Sequence, residues 1–204
     1  MNRVWKLSLI GMWICMILLV SGCSSDKFSG KWITQNKDGR VSELEIEKNG
    51  DGKGYILTET DYYYDEKQSI QNEKEYNAYR SINPFKRVKL EPVIPIYDFT
   101  FTWKSDSDKM TALEQDNRLV IDGNPFMIYS YIEKDDSLQI QDTVYRKEGK
   151  SDLDNIKKNI QDNITKTYNE KFEKLSQNKE PAFRSKLGNI TFVDDAENAD
   201  NNTK

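Results

Sequence analysis

The chain contains no histidine and only two cysteines in 204 residues. Without imidazole it cannot assemble Ser–His or Cys–His nucleophilic catalysis, and the usual transition-metal sites lose their commonest ligand. An excess of positive charge is missing as well: 30 Lys and Arg stand against 34 Asp and Glu, for a net charge of −4. That balance gives no reason to expect a nucleic acid or an anionic lipid surface as partner. Carboxylate-only chemistry survives these absences, as a glycosidase pair or a hard-cation site. No pair of acids stands out from the general background of charge, so no catalytic residue, metal ligand or cofactor is assigned, and the expectation is a protein that is not an enzyme.

One apolar run is present. Residues 1–6 carry Arg3 and Lys6 and no acid, and residues 7–20 are uncharged and mostly apolar. Fourteen helical residues reach about 21 Å, short of the roughly 30 Å hydrocarbon core of a bilayer, but suited to the h-region of a signal peptide. Ser21 and Gly22 follow, then Cys23.

Val20-Ser21-Gly22-Cys23 resembles the lipobox of bacterial lipoproteins. The resemblance implies a signal peptide over 1–22, cleavage before Cys23, a diacylglyceryl thioether on that cysteine, and a tether over 23–27. Cys15 would leave with the signal peptide, so the mature chain would have neither a disulfide nor a second thiolate. Two acyl chains at about 0.8 kcal/mol per buried CH₂ hold such an anchor in the membrane effectively permanently. The expected location is the extracytoplasmic face of the cell membrane, or an outer membrane where the cell has one. Loss of Arg3 and Lys6 would take the net charge to −6.

From Phe28 to about Lys147 the hydrophobic pattern has period two, with turn residues between short runs, which reads as antiparallel β. The expected strands are 28–34, 41–48, 54–60, 97–104, 109–115, 118–122, 126–133 and 137–147, a meander closing into a barrel or folded sheet. The run Asn49-Gly50-Asp51-Gly52-Lys53-Gly54 faintly resembles a calcium loop, but Lys53 sits where an oxygen ligand belongs and Thr60 holds the place of the closing Glu. A hairpin turn fits better. Residues 61–95 form a long insert, with a possible helix in 66–79 and an extended end at 84–95 where three prolines lie. After Gly149 the period changes. Leu153, Ile156, Ile160, Ile164, Tyr168, Phe172 and Leu175 recur every three or four residues, giving an amphipathic helix within 150–180 with a broad apolar face. Residues 181–204 read as a mostly disordered acidic tail, with one short strand possible at 190–193.

Phe28-Ser29-Gly30-Lys31-Trp32 resembles the G-x-W signature of lipocalin-like and wider calycin-type barrels. There the tryptophan closes one barrel end and an arginine near the last strand covers it. The resemblance implies a small lipocalin-like barrel or half-barrel over 28–149, with Trp32 at its closed end and Arg146 stacked on it.

Tyr97, Phe99, Phe101 and Trp103 alternate with polar residues, so all four share one face of a strand. They are core, or the aromatic wall of an apolar ligand pocket. Tyr62, Tyr63 and Tyr64 are consecutive and cannot all face inward. With Tyr76 and Tyr79 they are candidates for a partner-recognition surface. The leading expectation is a membrane-anchored, non-enzymatic lipoprotein that binds a small apolar or amphiphilic ligand. An envelope protein-interaction module of the immunity, exclusion or assembly kind comes second, and a carboxylate enzyme third.

Overall fold

The computed structural model describes residues 26–36, 39–50, 52–82, 91–149 and 153–195. Residues 1–25, with the apolar run and Cys23, lie outside them, as do 83–90 and the end of the chain. Among the described residues no helix is long and apolar enough to cross a membrane.

Among the described residues nine strands and two α-helices follow in order: β1 (Gly30–Gln35), β2 (Val41–Lys48), β3 (Tyr55–Ile70), α1 (Glu73–Ser81), β4 (Ile96–Gln115), β5 (Arg118–Ile121), β6 (Ile128–Ile132), β7 (Ser137–Ile140), β8 (Thr143–Lys147), α2 (Leu153–Ser176) and β9 (Lys186–Asp194). Strands β1 to β8 pair antiparallel in sequence order, and β8 returns to β1 through Trp32↔Lys147 and Ile33↔Arg146. The barrel is therefore closed. Asp116 and Asn117, at φ +48° and +65°, form the two left-handed positions that a two-residue β4–β5 connection needs.

The inward faces fill the barrel with Phe28, Trp32, Leu44, Ile46, Tyr55, Leu57, Leu119, Tyr129, Leu138 and Tyr145, all buried. Trp32 donates its indole N–H to the Phe28 carbonyl at 2.7 Å, so its one polar atom is satisfied inside the core. The cation over its ring is Lys147, at 5.0 Å, and not the expected Arg146. The reason is alternation: Tyr145 and Lys147 share a face of β8, whereas Arg146 points outward and is exposed.

Of the expected insert, 61–70 are strand and 73–81 are helix, while 83–90 lie outside the described residues. β3 runs on for eight residues past its last pair with β2, and β4 shadows it from Tyr62↔Ser105 to Ile70↔Tyr97. This two-stranded ribbon extends about 26 Å beyond the barrel at 3.3 Å per residue. The expected strands 97–104 and 109–115 are one strand, because the exposed residues from Ser105 to Asp108 keep their backbone pairs with β3. At the tip Asn72 bridges the two sides. Its side chain donates to the Ile94 carbonyl (2.9 Å) and accepts from the Ile96 N–H (3.0 Å).

Within the expected tail, residues 186–194 are a strand, and 196–204 lie outside the described residues. β9 adds parallel to β4 over Ile96 to Trp103, held at its start by Asp98, whose carboxylate accepts from the Asn189 N–H (2.6 Å) and from Gln71 (2.8 Å). Gly188 permits this approach, since a Cβ there would stand 2.3 Å from the same carboxylate oxygen.

Helix α2 lies along the outside of the barrel and ribbon. Its first half covers Ile33, Val41, Tyr62, Tyr64 and Trp103, and its second half covers Tyr97, Phe99, Phe101, Ile190 and Phe192. All seven apolar positions read from the sequence face these two cores. Two-sided cover explains why Ile33 and Val41 are buried although they point away from the barrel interior.

Candidate functional site

Tyr97, Phe99, Phe101 and Trp103 share one face, as alternation requires, but that face is outside the barrel. Phe99 stacks edge-on against Tyr168 (4.6 Å between centroids) and Phe172 (5.6 Å). Phe101 meets Tyr168 and Phe192, each at 5.5 Å. Trp103 packs against Tyr64 (4.7 Å) and Tyr62 (5.7 Å), with the Lys157 ammonium 5.4 Å above its ring. The row is thus a second hydrophobic core beneath α2 and does not line the barrel's interior.

The tyrosines separate in the same way. Tyr62 and Tyr64 face α2. Tyr63 faces the other side of the ribbon, under the Arg40 guanidinium at 5.9 Å. Tyr76 and Tyr79 ride on α1 at the tip, where Arg80 lies 5.8 Å over the Tyr76 ring. The five do not form one patch. Cys23 lies outside the described residues.

Where the ribbon leaves the barrel, a groove of about 530 Å³ opens between β3, the β1–β2 turn and α2. Tyr64, Phe101, Tyr168, Ile160 and Ile164 make its apolar floor, and Arg40, Glu66, Asn163 and Thr167 contribute to a polar rim. Two hydrogen bonds fix this floor. Gln161 donates to the Tyr64 hydroxyl at 2.6 Å, and the Tyr168 hydroxyl donates to Glu66 at 2.7 Å. Burial, and then the donation to Glu66, push the Tyr168 phenol up to about 12, so it remains a neutral donor at physiological pH. Only Phe101 of the four candidate ligand-wall residues reaches the groove. The sequence carried a signal for α2's contribution in its apolar stripe. It carried none for the β1–β2 turn, which arrives at the groove through the closure of the barrel.

Comparison with protein-family models, with curated proteins and with solved structures finds no match.

Proposed function

We propose that the protein is a lipid-anchored, extracytoplasmic binding lipoprotein, without enzymatic activity, that holds an amphiphilic ligand in the groove between the ribbon and α2. What supports the reading is the groove itself: its volume lies within the range of small-molecule sites, with an aromatic and aliphatic floor below a polar rim. The barrel interior is a poorer candidate because large buried side chains occupy it. An apolar tail would lie against Phe101, Ile160 and Ile164, with its head group among Arg40, Glu66 and Asn163.

The test uses lauroyl-lysophosphatidylcholine below its micellar concentration as probe. Asn163 and Thr167 are exposed groove residues outside both cores, so Asn163→Trp and Thr167→Trp should fill the groove without disturbing the fold. Saturable binding that weakens by about tenfold or more in these variants, at unchanged melting temperature, is the expected result. No saturable binding, or equal binding by the filled variants, would overturn the proposal. A second reading, recognition of an envelope protein, draws on the filled barrel and on the projecting tip with Tyr76, Tyr79 and the half-exposed Ile82. Substitutions on α1 would then abolish partner capture while leaving lysolipid binding intact.

A further inference from the structure

On the ribbon, β3 outruns one of its two neighbours. β2 begins at Val41, opposite Tyr62, whereas β3 continues to Ile70. From Tyr63 to Ile70 one edge of β3 is paired with β4, and the other has no strand beside it among the described residues. An open edge of this kind is a template for a further strand.

Two contacts fix which backbone groups this edge presents. The Asn49 N–H donates to the Gly54 carbonyl at 2.8 Å, so every second pair from there, as far as Val41↔Tyr62, exchanges hydrogen bonds between β2 and β3. At the tip the Gln71 N–H donates to the Ile96 carbonyl at 2.9 Å, so the odd-numbered residues of β3 bond to β4. Both contacts lead to the same assignment. Tyr64, Glu66, Gln68 and Ile70 direct their N–H and C=O groups to the open edge, in a row about 20 Å long.

The groove under α2 lies along the barrel half of this edge, where its lining joins Tyr64 and Glu66 of β3 to Ile164, Thr167 and Tyr168 of α2. A residue paired opposite Tyr64 or Glu66 turns its side chain to the α2 side, onto the apolar floor. The barrel end of the groove decides which end of a chain fits. β2 occupies the same line from Val41 onward, so an added strand must stop before Arg40. Antiparallel pairing continues the direction of β2 and puts a C-terminus there, whereas parallel pairing puts an ammonium there. Arg40 and Glu66 are the charged residues that line the groove among the described residues, and Glu66 already accepts from Tyr168. The cation at the blocked end matches a carboxylate and repels an ammonium.

We propose that the amphiphilic ligand of this groove is the C-terminal segment of an extended polypeptide. It adds antiparallel to β3, with its terminal carboxylate at Arg40 and alternate apolar side chains on Phe101, Ile164 and Tyr168. The inference rests on the groove being the binding site proposed above, and names what enters it.

Calorimetric titration of the purified protein with acetyl-Thr-Val-Ser-Val-Ser-Val, as the free acid and as the C-terminal amide, tests the assignment. Saturable binding of the acid, with displacement of lauroyl-lysophosphatidylcholine, is expected, and the amide should bind about tenfold more weakly. Arg40→Gln should weaken the acid by about tenfold and the amide far less. Gln68→Pro separates edge pairing from apolar contact. Residue 68 sends its N–H to the open edge, where proline is tolerated, and it lies outside the groove lining. The substitution should weaken the peptide by about threefold to tenfold and leave lysolipid binding as in the parent. Should that variant fold poorly, N-methylation of the middle valine of the peptide, whose N–H would face β3, should abolish binding to the parent protein. Equal affinity of acid and amide, no effect of N-methylation, or no saturation by about 1 mM acid would overturn the inference. Lysolipid binding without peptide binding removes this inference alone, and absence of both removes the groove as a site.

Discussion

Asp26 shows how much a single side chain can organise where the chain enters the barrel. Its carboxylate accepts from the Phe28 and Ser29 N–H groups, both at 3.1 Å, from the Ser29 hydroxyl at 2.5 Å and from the Tyr55 hydroxyl at 3.1 Å. Burial alone would raise its pKa, but these donors outweigh it and hold the value below 3.8. A depressed carboxylate stabilises the fold above its unfolded pKa and loses that contribution as pH falls through the folded one. Asp26→Asn should therefore cost about 1–3 kcal/mol near neutral pH. The difference from the parent protein should shrink below about pH 4, where both side chains are uncharged. Thermal melts of both proteins from pH 2 to 7 check this, and curves that stay parallel throughout would contradict it. None of this was legible in the sequence, where Asp26 is one acid in a short tether. Trp32 was legible as a core residue from its G-x-W setting, but its covering cation was assigned one residue too early on β8.

At the scale of elements, the β3–β4 ribbon departs furthest from expectation. Glu66 and Gln68 occupy positions on the same face as Tyr62 and Tyr64, so the apolar alternation fades and the strand hides in a polar stretch. Its pairing partner, the 97–103 aromatic row, supplies the order instead. An insert without structure of its own could be replaced over 66–82 by a glycine–serine loop at little cost, since loop closure depends weakly on length. The structure reverses that. Replacing 66–82 removes the partner of 97–101 and loosens the core over Phe99 and Phe101. The shortened protein should lose cooperative unfolding and bind a dye for exposed apolar surface. A sharp transition within a few degrees of the parent would show the ribbon to be dispensable. Helix α2 is the opposite case. Its seven apolar positions were visible because nothing polar interrupts a period sustained over six turns.

For the whole molecule, the two barrel ends differ. Asp26, with Tyr55, Lys48 and Glu114 around it, lies at the end carrying the β2–β3 and β4–β5 turns. The ribbon, groove and β1–β2 turn belong to the other end. Only two residues separate Cys23 from Asp26, a reach of about 10 Å. A lipid on Cys23 would hold the Asp26 end against the bilayer and direct the ribbon away from it. Cys23→Ser should move the protein from the membrane fraction to the soluble one with its β circular dichroism unchanged. In the anchored protein a fluorophore at Ala78→Cys on α1 should be quenched by head-group quenchers less than one at Lys134→Cys. Retention of the serine variant in the membrane would refute the anchor, and reversed quenching would refute the orientation.

Local pattern determined what depends on neighbours along the chain: the mainly β class, the alternating strands, the turns, the α2 stripe and the single face of the 97–103 aromatics. It was silent on which body covers each face, because alternation states that two faces differ without saying what lies against either. Barrel closure and the placing of the aromatic row outside the barrel were settled by contacts far apart in sequence. The same holds for β9. Its polar, weakly apolar run acquires strand structure only because β4 presents a free edge and α2 a cover for Ile190 and Phe192.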